Sequence, residues 1–181
     1  MENKTKIYAI TTYAIVAALL CIFGPISIPI GPIPVSLTIL IICLSVYLAG
    51  MKGALISYVA YLLLGVFGLP VFSGYQGGLA KLVGPTGGYL IGFIPLAIIS
   101  GIFFEKSKGN LIWTVIGMVI GIAVDYVLGT AWFVIQMDCE IGYALSVCVI
   151  PFIPIDLTKV AIANLLGRLV RKPLLRTGLI A

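Results

Sequence analysis

The sequence predicts an all-α integral membrane protein: one domain over residues 1–181, six transmembrane helices, and both termini cytoplasmic. Three observations predict it. Of the 181 residues, 61% are hydrophobic and 9% charged, and the mean hydropathy is +1.22. That leaves too little polar surface to coat a water-soluble globule. Gly, Pro and charged interruptions divide the chain into apolar runs near the ~20 residues that a bilayer core requires. Finally, Lys and Arg gather at alternate ends of those runs, the pattern of short basic loops kept on the cytoplasmic side.

Taken in order, the first run is 7–24, behind Lys4 and Lys6. Leu20 is bulky where a lipoprotein cleavage site before Cys21 would need a small residue, so this run reads as a retained helix. Ala14 and Ala18 form a small-xxx-small pair on it, suited either to packing inside the bundle or to the close approach of a partner helix. GPISIPIGPIPVSLT, Gly24 to Thr38, then places four prolines in an apolar loop. Prolines lack backbone donors and hold extended geometry, which suits a rigid connector or a lid over the outer mouth of a bundle.

Runs 35–51 and 53–69 flank Lys52. The irregular stretch from Gly68 to Phe93 follows, containing Lys81 and the turn Pro85, Thr86, Gly87, Gly88 at the start of run 88–104. The first N–H groups of that helix lack intrahelical acceptors and suit a carboxylate, although a turn followed by tight packing explains the glycines equally. Lys106 and Lys108 close this run. Run 110–135 carries Asp125, Tyr126, Gly129 and Trp132, and run 151–170 leads into Arg168, Arg171, Lys172 and Arg176. The opposite side keeps Lys81, Asp138 and Glu140.

The net charge of +5 is thus topology and not a nucleic-acid footprint, being spread over four segments instead of one stripe. No G-x-x-x-x-G-K-[ST] phosphate loop occurs in the chain, so it has no nucleotide site of that kind. The four cysteines lack C-x-x-C spacing; Cys21, Cys43 and Cys148 read as packing residues, Cys139 has no assigned role, and no metal is expected.

Two charges sit inside the last run. A charge at the centre of a membrane helix costs about 3 kcal/mol on insertion scales, so each needs a reason to be there. Asp156 and Lys159, at i,i+3, share one helix face and offset each other's desolvation. They fall in the first turns of the helix, where an outward-facing cavity roofed by the two irregular loops would lie. Asp125 reads either as structural, bonded to a Tyr or Ser of a neighbouring helix, or as facing a cavity, and the structural reading is preferred.

Three stretches, GPIPVSLT, GPTGGYLIGF and IDLTKVAIA, resemble in order and spacing the BioY family, the biotin-binding S components of energy-coupling factor (ECF) transporters. Family members commonly read T-L-Q where this chain has Ser36, Leu37 and Thr38, so a hydroxyl remains at Ser36. The resemblance implies a multi-pass subunit of a prokaryotic cell membrane that captures biotin from outside. Biotin is then a transported ligand and not a cofactor. Asp156 would accept ureido N–H bonds and Lys159 would donate to the ureido carbonyl, with Tyr89 and Trp132 against the ring. Thr86, the Gly87 turn and Lys81 would meet the carboxylate; a reversed pose would put Lys159 there. It also implies partners, a membrane coupling subunit (T component) and two ATPase subunits, with Ala14 and Ala18 at the coupling contact. Three other readings compete: an S component for another small vitamin, an intramembrane enzyme using Asp125 and Asp156 as an acid–base pair, and a purely structural membrane subunit, which would give no reason for the buried charges.

Overall fold

A computed structural model describes the backbone of residues 2–176 and the side chains of residues 6–174; Lys4 and Arg176 have side chains outside this range. Nine elements follow one another: α1 (Glu2–Phe23), β1 (Ser27–Ile30), β2 (Ile33–Ser36), α2 (Thr38–Val66), α3 (Leu79–Val83), α4 (Gly87–Lys106), α5 (Leu111–Met137), α6 (Ile141–Cys148) and α7 (Phe152–Arg176). Among the described residues, four helices are long and apolar enough to cross a membrane, or five if α6 and α7, bent by 40°, are one span.

The longest helix is not straight. Gly50 interrupts α2 with φ 65° and ψ −170°, a conformation that costs a side-chain-bearing residue dearly. Thr38 and Tyr61 lie 23 residues apart, about 35 Å along a straight helix, yet both line the same cavity. The chain therefore doubles back at Gly50 into two antiparallel arms, near where the sequence separates run 35–51 from run 53–69. Breaking the helix frees the N–H of Met51, and the Glu105 carboxylate at the end of α4 accepts it at 2.8 Å. A carboxylate at a helix start also meets the positive end of the helix dipole.

The second irregularity lies between α1 and α2. Instead of a helix from residue 35, the proline-rich segment forms a two-stranded antiparallel ribbon pairing Ser27 with Ser36 and Ile30 with Ile33. Its prolines face each other, Pro29 across from Pro34, at a ribbon edge where missing donors do no harm. Gly31, φ 70°, supplies the turn. Along β2 the side chains alternate, burying Ile33 and Val35.

Helices α4 and α5 pack face to face along their lengths, glycines on each receiving side chains of the other. A Cβ at Gly129 would strike the Tyr89 ring and one at Gly88 would strike Trp132. The N-cap of α5 is Asn110, whose side chain accepts the Ile112 N–H at 3.0 Å. Rings run through the core beside α2: Tyr58 meets Phe93 of α4 edge-on at 5.8 Å, and Tyr61 meets Phe72, in the connection after α2, at 5.7 Å. Both hydroxyls are satisfied, Tyr58 donating to the Leu90 carbonyl and Tyr61 to that of Val71.

The bundle has two unlike ends. At one, Arg171 donates to the Tyr47 carbonyl and lies 4.8 Å over the Phe104 ring, near the Gly50 reversal and Glu105. At the other end the cavity opens.

Candidate ligand-binding site

Every long helix except α1 sends side chains to this cavity. It encloses about 600 Å³ of space between atoms, its open mouth included. The wall is mostly apolar and aromatic: Ile33 and Val35 of the ribbon, Ile39 and Tyr61 of α2, Tyr89, Leu90 and Phe93 of α4, and Phe152 of α7.

Into that wall α7 projects the ion pair. Lys159 Nζ donates to Asp156 Oδ1 at 2.8 Å, and both residues are buried, 6% and 2% exposed. The other oxygen, Oδ2, accepts the Tyr126 hydroxyl at 2.6 Å. One face of α7 thus carries a carboxylate held by two donors, with lone pairs to spare, beside an ammonium with two further N–H groups. Formal charge cancels within the pair. The pair is suited to a neutral polar group that both donates and accepts, set in an apolar body.

Of the other residues singled out from sequence, Ser36, Thr86 and Tyr89 line the cavity. Ser36 donates to Thr38 Oγ1 at 3.0 Å, and the Tyr89 and Thr130 hydroxyls share a bond at 3.0 Å. Two expectations need correction. Trp132 does not face the cavity; its Nε1 donates to the Gly84 carbonyl at 2.9 Å and its stem packs on Gly88, pinning the turn before α4. Gly87 has no free N–H, since it donates to the Gly84 carbonyl at 2.9 Å, and it has no Cβ because one would strike the Leu82 carbonyl. Lys81 lies in a neighbouring open pocket with Gln76, Ala80 and Pro85; Thr86 is common to both spaces. Partial burial there lowers the Lys81 pKa from its ordinary value by desolvating the ammonium.

Sequence reasoning missed Tyr126, Thr38, Tyr61 and Phe93 in the wall, and of its two readings of Asp125 the structure bears out the cavity-facing one. That carboxyl, 1% exposed, lines the cavity, and its Oδ1 has no hydrogen-bond partner. Asp125 and Asp156 therefore share one space. Ala14 and Ala18 are exposed on α1, while Val16, Ala17 and Leu20 face the bundle, so the two alanines do not pack inside it. The four cysteines are free; Cys43 and Cys148 are buried, and Cys148 reaches the cavity wall.

The sequence profile of the BioY family matches residues 1–176. The chain belongs to the BioY family. It is 40% identical over 159 residues to the biotin transporter BioY of Thermotoga maritima, covering 87% of this chain and 92% of that protein. Against biotin transporter BioY2 of Lactococcus lactis the identity is 32% over 167 residues, covering 92% and 91%. Among solved structures, this BioY-family fold superposes with a TM-score of 0.87 and 32% identity on the S component for biotin from an ECF-type ABC transporter, across 95% of both chains.

Proposed function

We propose that this BioY-family chain is the S component of an ECF-type ABC transporter, a membrane subunit that captures biotin from outside for ATP-driven uptake. The observation that carries this reading is the buried Asp156–Lys159 pair, at 2.8 Å, set in the wall of an otherwise apolar cavity. Biotin presents a ureido group with two N–H donors and one carbonyl, an apolar thioether ring and a tail ending in a carboxylate. Asp156 accepts from the ureido group and Lys159 donates to its carbonyl, so the ligand completes the hydrogen bonding of charges that would otherwise be a burden in the bilayer. Tyr89, with Tyr61 and Phe93, provides ring faces, and Ser36 lies at the ribbon side of the head group. The tail runs toward Thr86 and the start of α4, with Lys81 drawing the carboxylate from the adjoining pocket.

Counting the two arms of α2 separately and α6 with α7 as one gives six crossings in a single membrane domain. Basic residues at the Gly50 end put both termini in the cytoplasm and the cavity outside. With no nucleotide loop in its sequence, the chain draws energy from partners: a T component, docking on the exposed Ala14 and Ala18, and two ATPase subunits. A prokaryotic cell membrane is the setting. An acid–base enzyme fits less well although Asp125 and Asp156 share the cavity, because Lys159 and Tyr126 already hold Asp156 as an acceptor.

Equilibrium binding of labelled biotin to the purified protein tests the proposal. Saturable binding is expected, with competition by desthiobiotin, which keeps the ureido group and the carboxylate. Competition by an analogue with both ureido N–H groups blocked should be absent. Equal competition by the two would show that the ion pair does not read that group.

A further inference from the structure

Asp125 is a carboxyl in the cavity wall to which the reading above gives no role. It is 1% exposed, and among the described residues nothing donates a hydrogen bond to it. The hydroxyls within its electrostatic reach are committed elsewhere: Tyr58 to the Leu90 carbonyl, Tyr89 to Thr130, and its own neighbour Tyr126 to Asp156. Room is nevertheless made for it. On α4, residue 92 is glycine, and a Cβ there would strike Asp125 Oδ1. A buried carboxyl without partners is among the costliest groups a fold can hold, and in a native protein it points to something absent from the structure.

The ligand's own chemistry defines what is absent. The two N–H bonds of a cyclic urea diverge, pointing to opposite flanks of the five-membered ring. Hydrogen bonds weaken steeply away from linearity, so one carboxylate cannot serve both flanks well. Asp156, already held by Lys159 and Tyr126, approaches from α7, while Asp125 lines the same cavity from α5. We propose that Asp125 accepts the second ureido N–H of biotin, so that two carboxyls on different helices read the ring from both flanks. This rests on the biotin reading above and adds a specificity element to it: a ring with only one N–H leaves one carboxyl buried and unpaired.

The test uses the full-length purified protein, biotin, and two analogues, each methylated on one ureido nitrogen. The unaltered protein should bind biotin and bind each analogue at least tenfold more weakly. In Asp125→Ala, shown to be folded by its thermal unfolding, biotin should bind at least tenfold more weakly than in the unaltered protein. One analogue, and one alone, should then bind within about twofold of biotin, because the contact it disrupts is already gone. Loss of packing alone would weaken all three ligands together and leave both methyl penalties in place. Either analogue binding the unaltered protein as tightly as biotin, or Asp125→Ala retaining full affinity or both penalties, overturns the inference while leaving the biotin reading intact. Should alanine prevent folding, the two analogues on the unaltered protein decide. Absence of biotin binding by the unaltered protein overturns the function and the inference together.

Discussion

At Asp156, two helices meet on one carboxylate: Lys159 from its own helix takes one oxygen and Tyr126 of α5 takes the other. Asp156→Asn and Lys159→Met should each weaken biotin binding at least tenfold, because removing one partner leaves the other charge buried and alone. Equilibrium binding on folded variants measures this, and full affinity in either would remove that residue from the site. Tyr126→Phe is expected to be milder, about tenfold, since it deletes one hydrogen bond to a charged acceptor and little volume. The ion pair is legible in the sequence because spacing and apolar context announce it within a single turn of helix. Tyr126 is not, because its partner lies 30 residues away on another helix. Trp132 and Gly87 show the converse: closeness in sequence to a motif says nothing about direction, and both bond the Gly84 carbonyl in the turn before α4.

Among the elements, α2 depends most on a single position. Gly50→Ala should destabilise the bundle by about 1–3 kcal/mol, through a side chain forced to positive φ and a Cβ only 2.8 Å from the Glu105 oxygen that caps Met51. Thermal unfolding in detergent measures it; an unchanged midpoint would show that the reversal tolerates a side chain. The sequence marked this break through Lys52 and its neighbours, though the helix resumes one residue after Gly50. The ribbon was not legible as strands, because prolines argue against sheet, and only the pairing of Pro29 with Pro34 shows how they are accommodated. On α1, the outward position of Ala14 and Ala18 leads to a different expectation. Ala14→Leu with Ala18→Leu should preserve biotin binding and abolish uptake, since added bulk blocks a partner helix without reaching the cavity. Co-purification of the double variant with its coupling subunits would show that the interface lies elsewhere.

For the whole molecule, the matter is energy. Its charged groups in the cavity wall form a compensated pair beside one further carboxyl, and the sequence contains no phosphate loop. Reconstituted alone in liposomes under a proton or sodium gradient, the protein should bind biotin and accumulate none. Adding the coupling subunit, two ATPase subunits and internal ATP should start uptake. Concentrative uptake by the lone chain, abolished by a protonophore, would instead make Asp125 a proton carrier. Composition and basic-residue spacing made the membrane setting legible. They could not convey that the arms of α2, together with α4, α5 and α7, converge on one cavity, since convergence is a property of packing between distant segments.

The ribbon over that cavity sets a timescale. Its ladder is closed on itself, and among the described residues no hydrogen bond ties residues 26–35 to a helix. Only Ser36, through Thr38 of α2, bonds a helix among the described residues, so the rest of the ribbon can lift about that point, surrendering chiefly the apolar contacts of side chains such as Ile33 and Val35, a few kcal/mol at most. A barrier of that kind slows arrival and departure alike, while the side chains that β2 gives to the cavity wall, Ile33, Val35 and Ser36, add to how tightly a ligand is held. A subunit built this way can hold a scarce vitamin until a partner arrives.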